Sequence, residues 1–132
     1  MKELKLKLFV LPETLSICRL DKGAQIPEWA MAGSFVSITR TSEELSIVGP
    51  QNNVPAEVKR EEGWRCLKVE GPLDFSLTGI LAALTVPLAQ EGVSVFAIST
   101  YDTDYLLVKK EQLEKAVKVL AENGHMVEGH KA

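Results

Sequence analysis

Residues 38–48 read ITRTSEELSIV, and residues 98–108 read ISTYDTDYLLV. The two stretches align without a gap at an offset of 60, since 98 − 38 = 60, and they share apolar alternation, hydroxyl groups and an acidic position. Apolar alternation on both sides of a polar turn predicts a β-hairpin. The same pattern at two places in one chain predicts that the chain repeats one folding unit.

A further strand and a helical segment precede each predicted hairpin. Cys18-Arg19-Leu20 aligns with Leu67-Lys68-Val69 at an offset of 49, since 67 − 18 = 49. Between this strand and the hairpin the second copy is therefore longer than the first by 60 − 49 = 11 residues. The gain falls in an apolar segment, which predicts a helix over residues 75–90. The apolar residues at three- and four-residue spacings, which would form the inner face of this helix, are Leu77, Ile80, Leu81, Leu84 and Leu88. In the first copy, residues 26–33 leave room for only a turn or two of helix. Each copy therefore reads strand, helix, strand, turn, strand.

The rest of the chain adds strands and one more helix. Leu4 to Val10 and Leu15 to Ile17 predict two short strands on either side of Pro12, and residues 64–69 predict another after a charged link. An amphipathic helix is predicted over residues 110–123. His125 and His130 stand in a polar tail without a carboxylate or cysteine partner, so we expect solvated side chains and no metal site.

Composition and charge exclude several classes of partner. Hydrophobic residues make up 45% of the chain and charged residues 25%, as in ordinary globular proteins. The net charge of −3 comes with no basic stripe, so we expect no nucleic-acid partner. The apolar runs are too short to span a bilayer, so we expect no membrane partner and a cytoplasmic location.

The sequence offers no recognisable catalytic or cofactor motif. Cys18 and Cys66 lie in apolar runs without metal-ligand spacing, and we interpret both as buried small hydrophobes. A Ser-His-acid set or a Gly-rich phosphate loop cannot be assembled from these residues. We therefore expect no cofactor, no catalytic residue and no enzymatic activity.

Two stretches of the second copy carry a family resemblance. VEGPLDFSLTGI at residues 69–80, followed by FAISTYDTDY at residues 96–105, resembles the ACT domains of the CASTOR and aspartate-kinase type. Cys18-Arg19-Leu20 with SITRT at residues 37–41 is similar to the degenerate partner module of the same tandem family. The resemblance implies an α+β, ferredoxin-like fold of tandem βαββαβ modules, with antiparallel sheets and helices on one face.

The resemblance also implies a division of the chain and a function. A degenerate N-terminal ACT-like module would span residues 1–60, and a C-terminal ACT module would span residues 61–132. A small amino acid would be held between paired modules, in a homodimer with an allosteric, regulatory role. Because the chain departs from the kinases in carrying no catalytic domain, the process that a bound ligand would regulate stays open.

The first half of the candidate site is the loop before the predicted long helix. The first amides of a helix have no intrahelical acceptor and can hold a carboxylate. Gly71 would let a ligand approach the backbone, and Asp74 or Ser76 would serve as the N-cap. The alternative is a plain strand-to-helix turn whose cap satisfies itself.

The second half is the turn of the second hairpin. Thr100 to Asp104 offers hydroxyl groups, one aromatic ring and two carboxylates, and a ligand's ammonium group needs such a carboxylate. In the resembled family this segment contacts the amino acid, and a solvated hairpin turn is the alternative. The candidate ligand-binding residues are Gly71, Pro72, Leu73, Asp74, Phe75, Ile98, Ser99, Thr100, Tyr101 and Asp104.

Two non-catalytic functions compete at this point, and an α+β enzyme of unknown chemistry is a third alternative. One is an amino-acid-binding regulatory or sensor protein without catalytic activity. The other is a ligand-free module that dimerises or docks on another protein through exposed strand edges.

Overall fold

A computed structural model describes residues 4–74 and 76–129. In this part of the chain the strands and helices are β1 (Lys7–Leu20), β2 (Ser37–Arg40), β3 (Leu45–Pro50), β4 (Lys59–Val69), α1 (Ile80–Gln90), β5 (Phe96–Ser99), β6 (Asp104–Lys109), α2 (Leu113–Glu122) and β7 (Met126–Glu128). Single turns of 3-10 helix lie at Glu28–Met31, Gln51–Asn53 and Lys110–Gln112.

The chain divides into two compact units. The N-terminal unit is Glu13–Trp64, and the C-terminal unit joins the chain up to Pro12 with the chain from Arg65 onward. The long strands β1 and β4 contribute residues to both units. None of the helices in residues 4–74 and 76–129 is long and apolar enough to cross a bilayer.

The sheet of the C-terminal unit has the strand order β7-β1-β4-β6-β5. From β4 onward the elements follow the order strand, helix, strand, strand, helix, strand, which is one complete βαββαβ unit. Strands β5 and β6 pair antiparallel, with Phe96 opposite Leu107. Strand β7 pairs parallel with β1, with Lys7 opposite Met126, so β1 separates the first and last strands of the βαββαβ unit.

Both helices cover one face of this sheet. Side chains two positions apart on a strand point to the same side, and such pairs on β1, β4 and β6 are buried together with residues of α1 and α2. These pairs are Leu8 with Val10, Leu67 with Val69, and Leu106 with Val108. Each fully buried Leu or Val contributes about 1.5–3 kcal/mol relative to an exposed one. The predicted α+β fold, with helices on one face, is confirmed.

Helix α1 starts later than its spacing pattern predicted. It begins at Ile80, preceded by Gly79 with a φ of 82° that lies outside the helical region. Leu77, which the periodicity placed on the inner face, is 48% exposed, whereas Ile80, Leu84 and Leu88 are buried. The prediction of helix over residues 76–79 is wrong, because the left-handed glycine separates this segment from α1.

The N-terminal unit is a smaller version of the same arrangement. Its strands have the order β2-β3-β1-β4, and β3 pairs antiparallel with both β2 and β1. Glu28–Met31 occupies the position of α1 in the chain order and is a single turn of 3-10 helix, as the short first-copy segment predicted. Cys18, Ala30, Leu45 and Ile47 form the buried core.

The two hairpins correspond at an offset of 59, one less than the sequence pattern predicted. Arg40 opposes Leu45 at the end of the first hairpin, and Ser99 opposes Asp104 at the end of the second, so the offset is 99 − 40 = 59. The predicted offset of 60 would match Ile47 with Leu107. The side chain of Leu107 points to the opposite face of the strand from that of its neighbour Leu106, which is the core residue. A one-residue shift exchanges the two faces of a strand, and the offset of 59 matches the core residue Ile47 with the core residue Leu106.

Two strands are longer than their sequence pattern indicated. β1 runs without interruption through Pro12, because the φ to which the proline ring restricts the backbone is compatible with an extended chain. β4 begins at Lys59, within the segment predicted as a charged link. In that segment the Arg60 guanidinium donates to the carbonyls of Val54 and Pro55, and its Nε lies 2.8 Å from a carboxylate oxygen of Glu62.

His125 joins β7 to the start of β1 in the C-terminal unit. Its side chain is only 6% exposed, which corrects the prediction of a solvated tail residue. Its Nδ1 accepts a hydrogen bond of 3.1 Å from the amide of Leu6, and the Leu6 carbonyl accepts one of 2.8 Å from Met126. His125 and Met126 therefore satisfy both the amide and the carbonyl of Leu6. His130 lies outside the described residues.

Replacing His125 with alanine should destabilise the fold, because the Leu6 amide loses its acceptor. Leaving a buried donor unsatisfied costs about 1–3 kcal/mol. The measurement is urea unfolding of the wild type and His125→Ala. His125→Asn is the matched control, because an amide oxygen can replace Nδ1 as acceptor, and it should lose less stability. Equal losses in the two variants would contradict this account.

Both cysteines are buried free thiols, as predicted. Burial raises the pKa of the Cys66 thiol to about 12. Burial also raises the pKa of Cys18, although the positive charge of Arg60 partly opposes the increase. Neither thiol is activated as a nucleophile, since activation requires a lowered pKa.

The raised pKa of Cys66 predicts a loss of stability at alkaline pH. Above about pH 9 the unfolded chain releases a thiol proton that the folded chain retains, so the free energy of unfolding falls by up to about 1.4 kcal/mol per pH unit. Urea unfolding from pH 8 to 11 should show a shallower decline in Cys66→Ala than in the wild type. Parallel pH profiles of Cys66→Ala and the wild type would show that Cys66 does not contribute to the loss of stability.

Candidate functional site

A cleft in the C-terminal unit lies between the β4–α1 connection and the β5–β6 turn. We call it the loop–hairpin cleft. It has a volume of about 230 Å³. The connection supplies Leu73, Asp74 and Leu77, and α1 supplies its first residue, Ile80. The hairpin supplies Ser99, Thr100, Tyr101, Asp102, Thr103 and Asp104.

Two short hydrogen bonds hold the walls of the cleft together. The Leu73 amide donates to the Asp102 carbonyl at 2.6 Å, and the Thr103 hydroxyl donates to the Val69 carbonyl at 2.6 Å. Thr103 is only 3% exposed, so its hydroxyl is a buried anchor. The structure therefore brings together the loop and the hairpin that the sequence marked as two halves of one site.

The hairpin turn closes on itself through Thr100. Its amide donates to the Thr103 carbonyl at 2.8 Å, and its hydroxyl donates to the same oxygen at 3.1 Å. At the base of the turn, the Ser99 hydroxyl donates to a carboxylate oxygen of Asp104 at 2.5 Å. These bonds fix the turn as one wall of the cleft. One oxygen of the Asp104 carboxylate already accepts a hydrogen bond from within the protein.

Asp74 caps a turn within the loop and does not cap α1. One of its carboxylate oxygens accepts hydrogen bonds from the Ser76 amide at 2.8 Å and the Ser76 hydroxyl at 2.9 Å. These bonds hold the pKa of Asp74 below its ordinary value. The N-cap of α1 is Gly79, which has no side chain to bond the first amides, so the expectation of an Asp74 or Ser76 cap is wrong.

The cleft is acidic. Asp74, Asp102 and Asp104 line it together with the apolar Leu77 and Ile80, and none of the described residues that line it is Lys, Arg or His. Among the residues that the structure describes, no cluster of three or more His, Cys, Asp or Glu side chains could hold a metal ion. The arrangement suits an organic cation that also presents an apolar or carboxylate part.

Most of the candidate residues meet at the cleft. Leu73, Asp74, Ser99, Thr100, Tyr101 and Asp104 line it. Gly71, Pro72 and Ile98 are not among its lining residues, and Phe75 lies outside the described residues. The sequence analysis missed Leu77, Ile80, Asp102 and Thr103. Asp102 and Thr103 belong to the quoted hairpin run, and Leu77 was assigned to the helix interior.

Gly71 has a packing role within the protein, and its predicted role in ligand approach stays a prediction. A Cβ atom at this position would lie 2.9 Å from the Asp102 carbonyl oxygen and 3.1 Å from Cβ of Thr103. The residue is therefore required for close approach of the hairpin to the loop, and a side chain here would push the cleft walls apart.

Replacing Gly71 with alanine should cost about 1–3 kcal/mol in the free energy of unfolding, because backbone must shift to admit the methyl group. Gly23→Ala is the matched control, since a Cβ there would meet nothing within 4 Å. Urea unfolding of both variants provides the measurement. A loss for Gly71→Ala no larger than that for Gly23→Ala would rule out the close approach as the reason for this glycine.

The loop–hairpin cleft lies inside a segment that matches a known family. An ACT domain family model matches residues 59–122, and a second family model, described as an N-terminal domain, matches residues 13–57. The chain is an ACT-domain protein. Its matched ACT segment contains both walls of the cleft, from Leu73 to Asp104.

Two proteins named as arginine sensors are similar in sequence to this ACT-domain protein. The human protein called "Cytosolic arginine sensor for mTORC1 subunit 1" is 37% identical over 99 residues, which cover 67% of this chain and 30% of the human one. The Bos taurus protein of that name is 32% identical over 98 residues, with 66% and 30% covered. The chain therefore matches less than a third of the length of either relative. The CASTOR-type resemblance is confirmed.

Solved structures of two proteins share the fold. Protein Atu0741 from Agrobacterium tumefaciens has a TM-score of 0.92 and 41% identity, with 98% of this ACT-domain chain and 96% of that chain covered. The regulatory subunit of aspartate kinase from Thermus flavus has a TM-score of 0.62 and 10% identity, with 88% and 95% covered. At that identity the second likeness shows the fold alone, and it agrees with the predicted aspartate-kinase-type architecture.

Proposed function

We propose that this ACT-domain protein is a non-catalytic regulatory module that binds a free amino acid in the loop–hairpin cleft. The observation that carries the proposal is the convergence of three carboxylates beside the start of α1, with no basic side chain among the described lining residues. The relatives named as arginine sensors support a ligand of this class. The ligand's ammonium group, or a second cationic group, would bind on the acidic hairpin side.

Asp104 is the proposed partner of the ammonium group. Ser99 engages one of its carboxylate oxygens, and this bond holds the carboxylate at the base of the turn. A charge-assisted hydrogen bond from an ammonium group to a carboxylate is about twice as strong as a neutral one. Because the carboxylate is already oriented, the ligand does not have to order it.

The amino end of α1 is the proposed partner of the ligand's carboxylate. Ile80, its first residue, lines the cleft, and the first bond within α1 runs from the Ala83 amide to the Gly79 carbonyl. The amides before Ala83 need acceptors from elsewhere, and Gly79 offers no side chain as a cap. A carboxylate at this end is also favoured by the helix dipole.

We further propose that the ligand is held between paired modules of a homodimer. At the rim of the cleft Tyr101 is 80% exposed and Leu77 is 48% exposed, so a second subunit could cover both. The cleft volume of about 230 Å³ is below the usual range for drug-sized ligands, which begins at about 300 Å³. A single amino acid matches that size. The arginine-sensor relatives are called cytosolic, and we propose a cytoplasmic location for this chain too.

A ligand-free interaction module is the second candidate function. Strand β2 ends the strand order in the N-terminal unit, and β5 ends it in the C-terminal unit. Edge strands can pair with another chain by sheet extension. Thermal unfolding that responds to none of the twenty amino acids, together with a stable dimer in sedimentation, would favour this function over amino-acid binding.

The proposed function predicts a thermal shift with at least one of the twenty amino acids. A ligand that binds only the folded state stabilises by RT ln(1 + [L]/Kd), which is about 2.7 kcal/mol at one hundred times Kd. With the amino acid that gives the shift, Asp104→Asn should weaken binding about ten- to a hundredfold, because the ammonium group loses its charged partner.

Glu114→Gln is the control for that variant. It removes one negative charge in the first turn of α2, and Glu114 is not among the residues that line the cleft. Isothermal titration should give wild-type affinity for Glu114→Gln. Wild-type affinity in Asp104→Asn would reject Asp104 as the ammonium partner.

A further inference from the structure

The N-terminal unit contains a counterpart of the loop–hairpin cleft. Asp21, Lys22, Gly23 and Ala24, in the loop after β1, line a cavity of about 760 Å³ with Ser42 and Glu43 of the β2–β3 turn. The repeat offset of 59 matches this turn with the turn of the second hairpin. In both turns a threonine amide donates to the carbonyl three residues later, at 2.9 Å from Thr41 and 2.8 Å from Thr100.

The connection between loop and hairpin is made differently in this counterpart. In the C-terminal unit the hydrogen bond from the Leu73 amide to the Asp102 carbonyl connects the loop to the hairpin. In the N-terminal unit the side chain of Arg40 does so. One guanidinium nitrogen donates to the Lys22 carbonyl, and the other donates to the Ala24 carbonyl at 2.7 Å.

The guanidinium group suits this task because it is planar and presents two donors in a fixed fork. The loop that receives it is itself folded, since the Ala24 amide donates to the Asp21 carbonyl at 2.9 Å. The carbonyls of Lys22 and Ala24 therefore form a small acceptor pair, which we call the carbonyl cradle. The cradle presents two uncharged acceptors to one cation.

The charges of the two counterpart sites also differ. At the offset of 59, Arg40 occupies the position of Ser99, and the buried Leu45 occupies the position of Asp104. The N-terminal unit thus lacks the carboxylate proposed to bind an ammonium group, and it has a permanent cation beside that position. Both changes oppose binding of a ligand's ammonium group there.

We propose that the carbonyl cradle is a guanidinium-binding site that the chain's own Arg40 occupies. Arg40 thereby joins the loop and the hairpin of the first copy, and the chain has one site for an external amino acid, in the C-terminal unit. The statement about the single site rests on the proposed function, whereas occupation of the cradle by Arg40 does not.

Chemical rescue tests the cradle without any amino acid. Arg40→Ala should lower the melting temperature by about 4 °C, because two hydrogen bonds to the loop are lost. Methylguanidinium chloride at tens of millimolar should restore at least half of this loss, and methylammonium chloride at the same concentration should not. The wild type should not respond to methylguanidinium.

Two further variants distinguish the effect of the two-donor guanidinium geometry from the effect of positive charge alone. Arg19→Ala removes a single exposed bond of 3.1 Å to the Glu43 carbonyl and should show no rescue by methylguanidinium. Arg40→Lys retains the charge without the fork and should melt close to Arg40→Ala. The proposal would be overturned by wild-type melting of Arg40→Ala or Arg40→Lys, or by equal responses of Arg40→Ala to the two salts.

Titration of the wild type tests the single site. An amino acid that binds should do so at one molecule per chain, and Arg40→Ala should leave its affinity for the C-terminal unit unchanged. Two molecules per wild-type chain would overturn the proposed single site. If the rescue succeeds while no amino acid binds, the cradle stands and the proposed function fails.

Discussion

The close approach of the β5–β6 turn to the loop after β4 is the constraint on which the candidate site depends. The bond between the Leu73 amide and the Asp102 carbonyl joins the two segments, and the buried Thr103 hydroxyl adds a second bond to the end of β4. Gly71 permits this approach because it has no Cβ atom. Three carboxylates are thereby brought to one acidic cleft, and no basic side chain in the described part of the chain lines it.

The two units show how one folding pattern can acquire different electrostatics. Their hairpin turns close in the same way, through a threonine amide and the carbonyl three residues later. Their loops differ, because one is held by backbone and the other by the guanidinium group of Arg40. In the N-terminal unit a single turn of 3-10 helix replaces α1, and this unit therefore lacks the helix end proposed to hold a carboxylate.

Sequence periodicity predicted the elements that bury one apolar face. The β5–β6 hairpin, α2 and the two buried cysteines follow from alternation, spacing and composition. Where the backbone left a regular period, the prediction failed. The segment before Ile80 is apolar at helical spacing, yet Gly79 adopts a left-handed conformation and Asp74 closes a separate turn. The repeat offset was wrong by one position, since pattern matching alone did not distinguish the two faces of a short strand.

The amino-acid sequence alone determined the repeat and its order of strands and helices, because these depend on local patterns of apolar, polar and turn residues. The α+β, ferredoxin-like class and the role of the hairpin turn in the candidate site were implied by the resemblance to ACT domains. Only the tertiary structure decided which side chains meet in the cleft, since that depends on contacts between residues distant in the chain. His125 is the plainest example: a polar tail residue in sequence, it becomes a buried acceptor because the Leu6 amide needs one. Arg40 is another, since only folding brings the carbonyls of Lys22 and Ala24 to its guanidinium group.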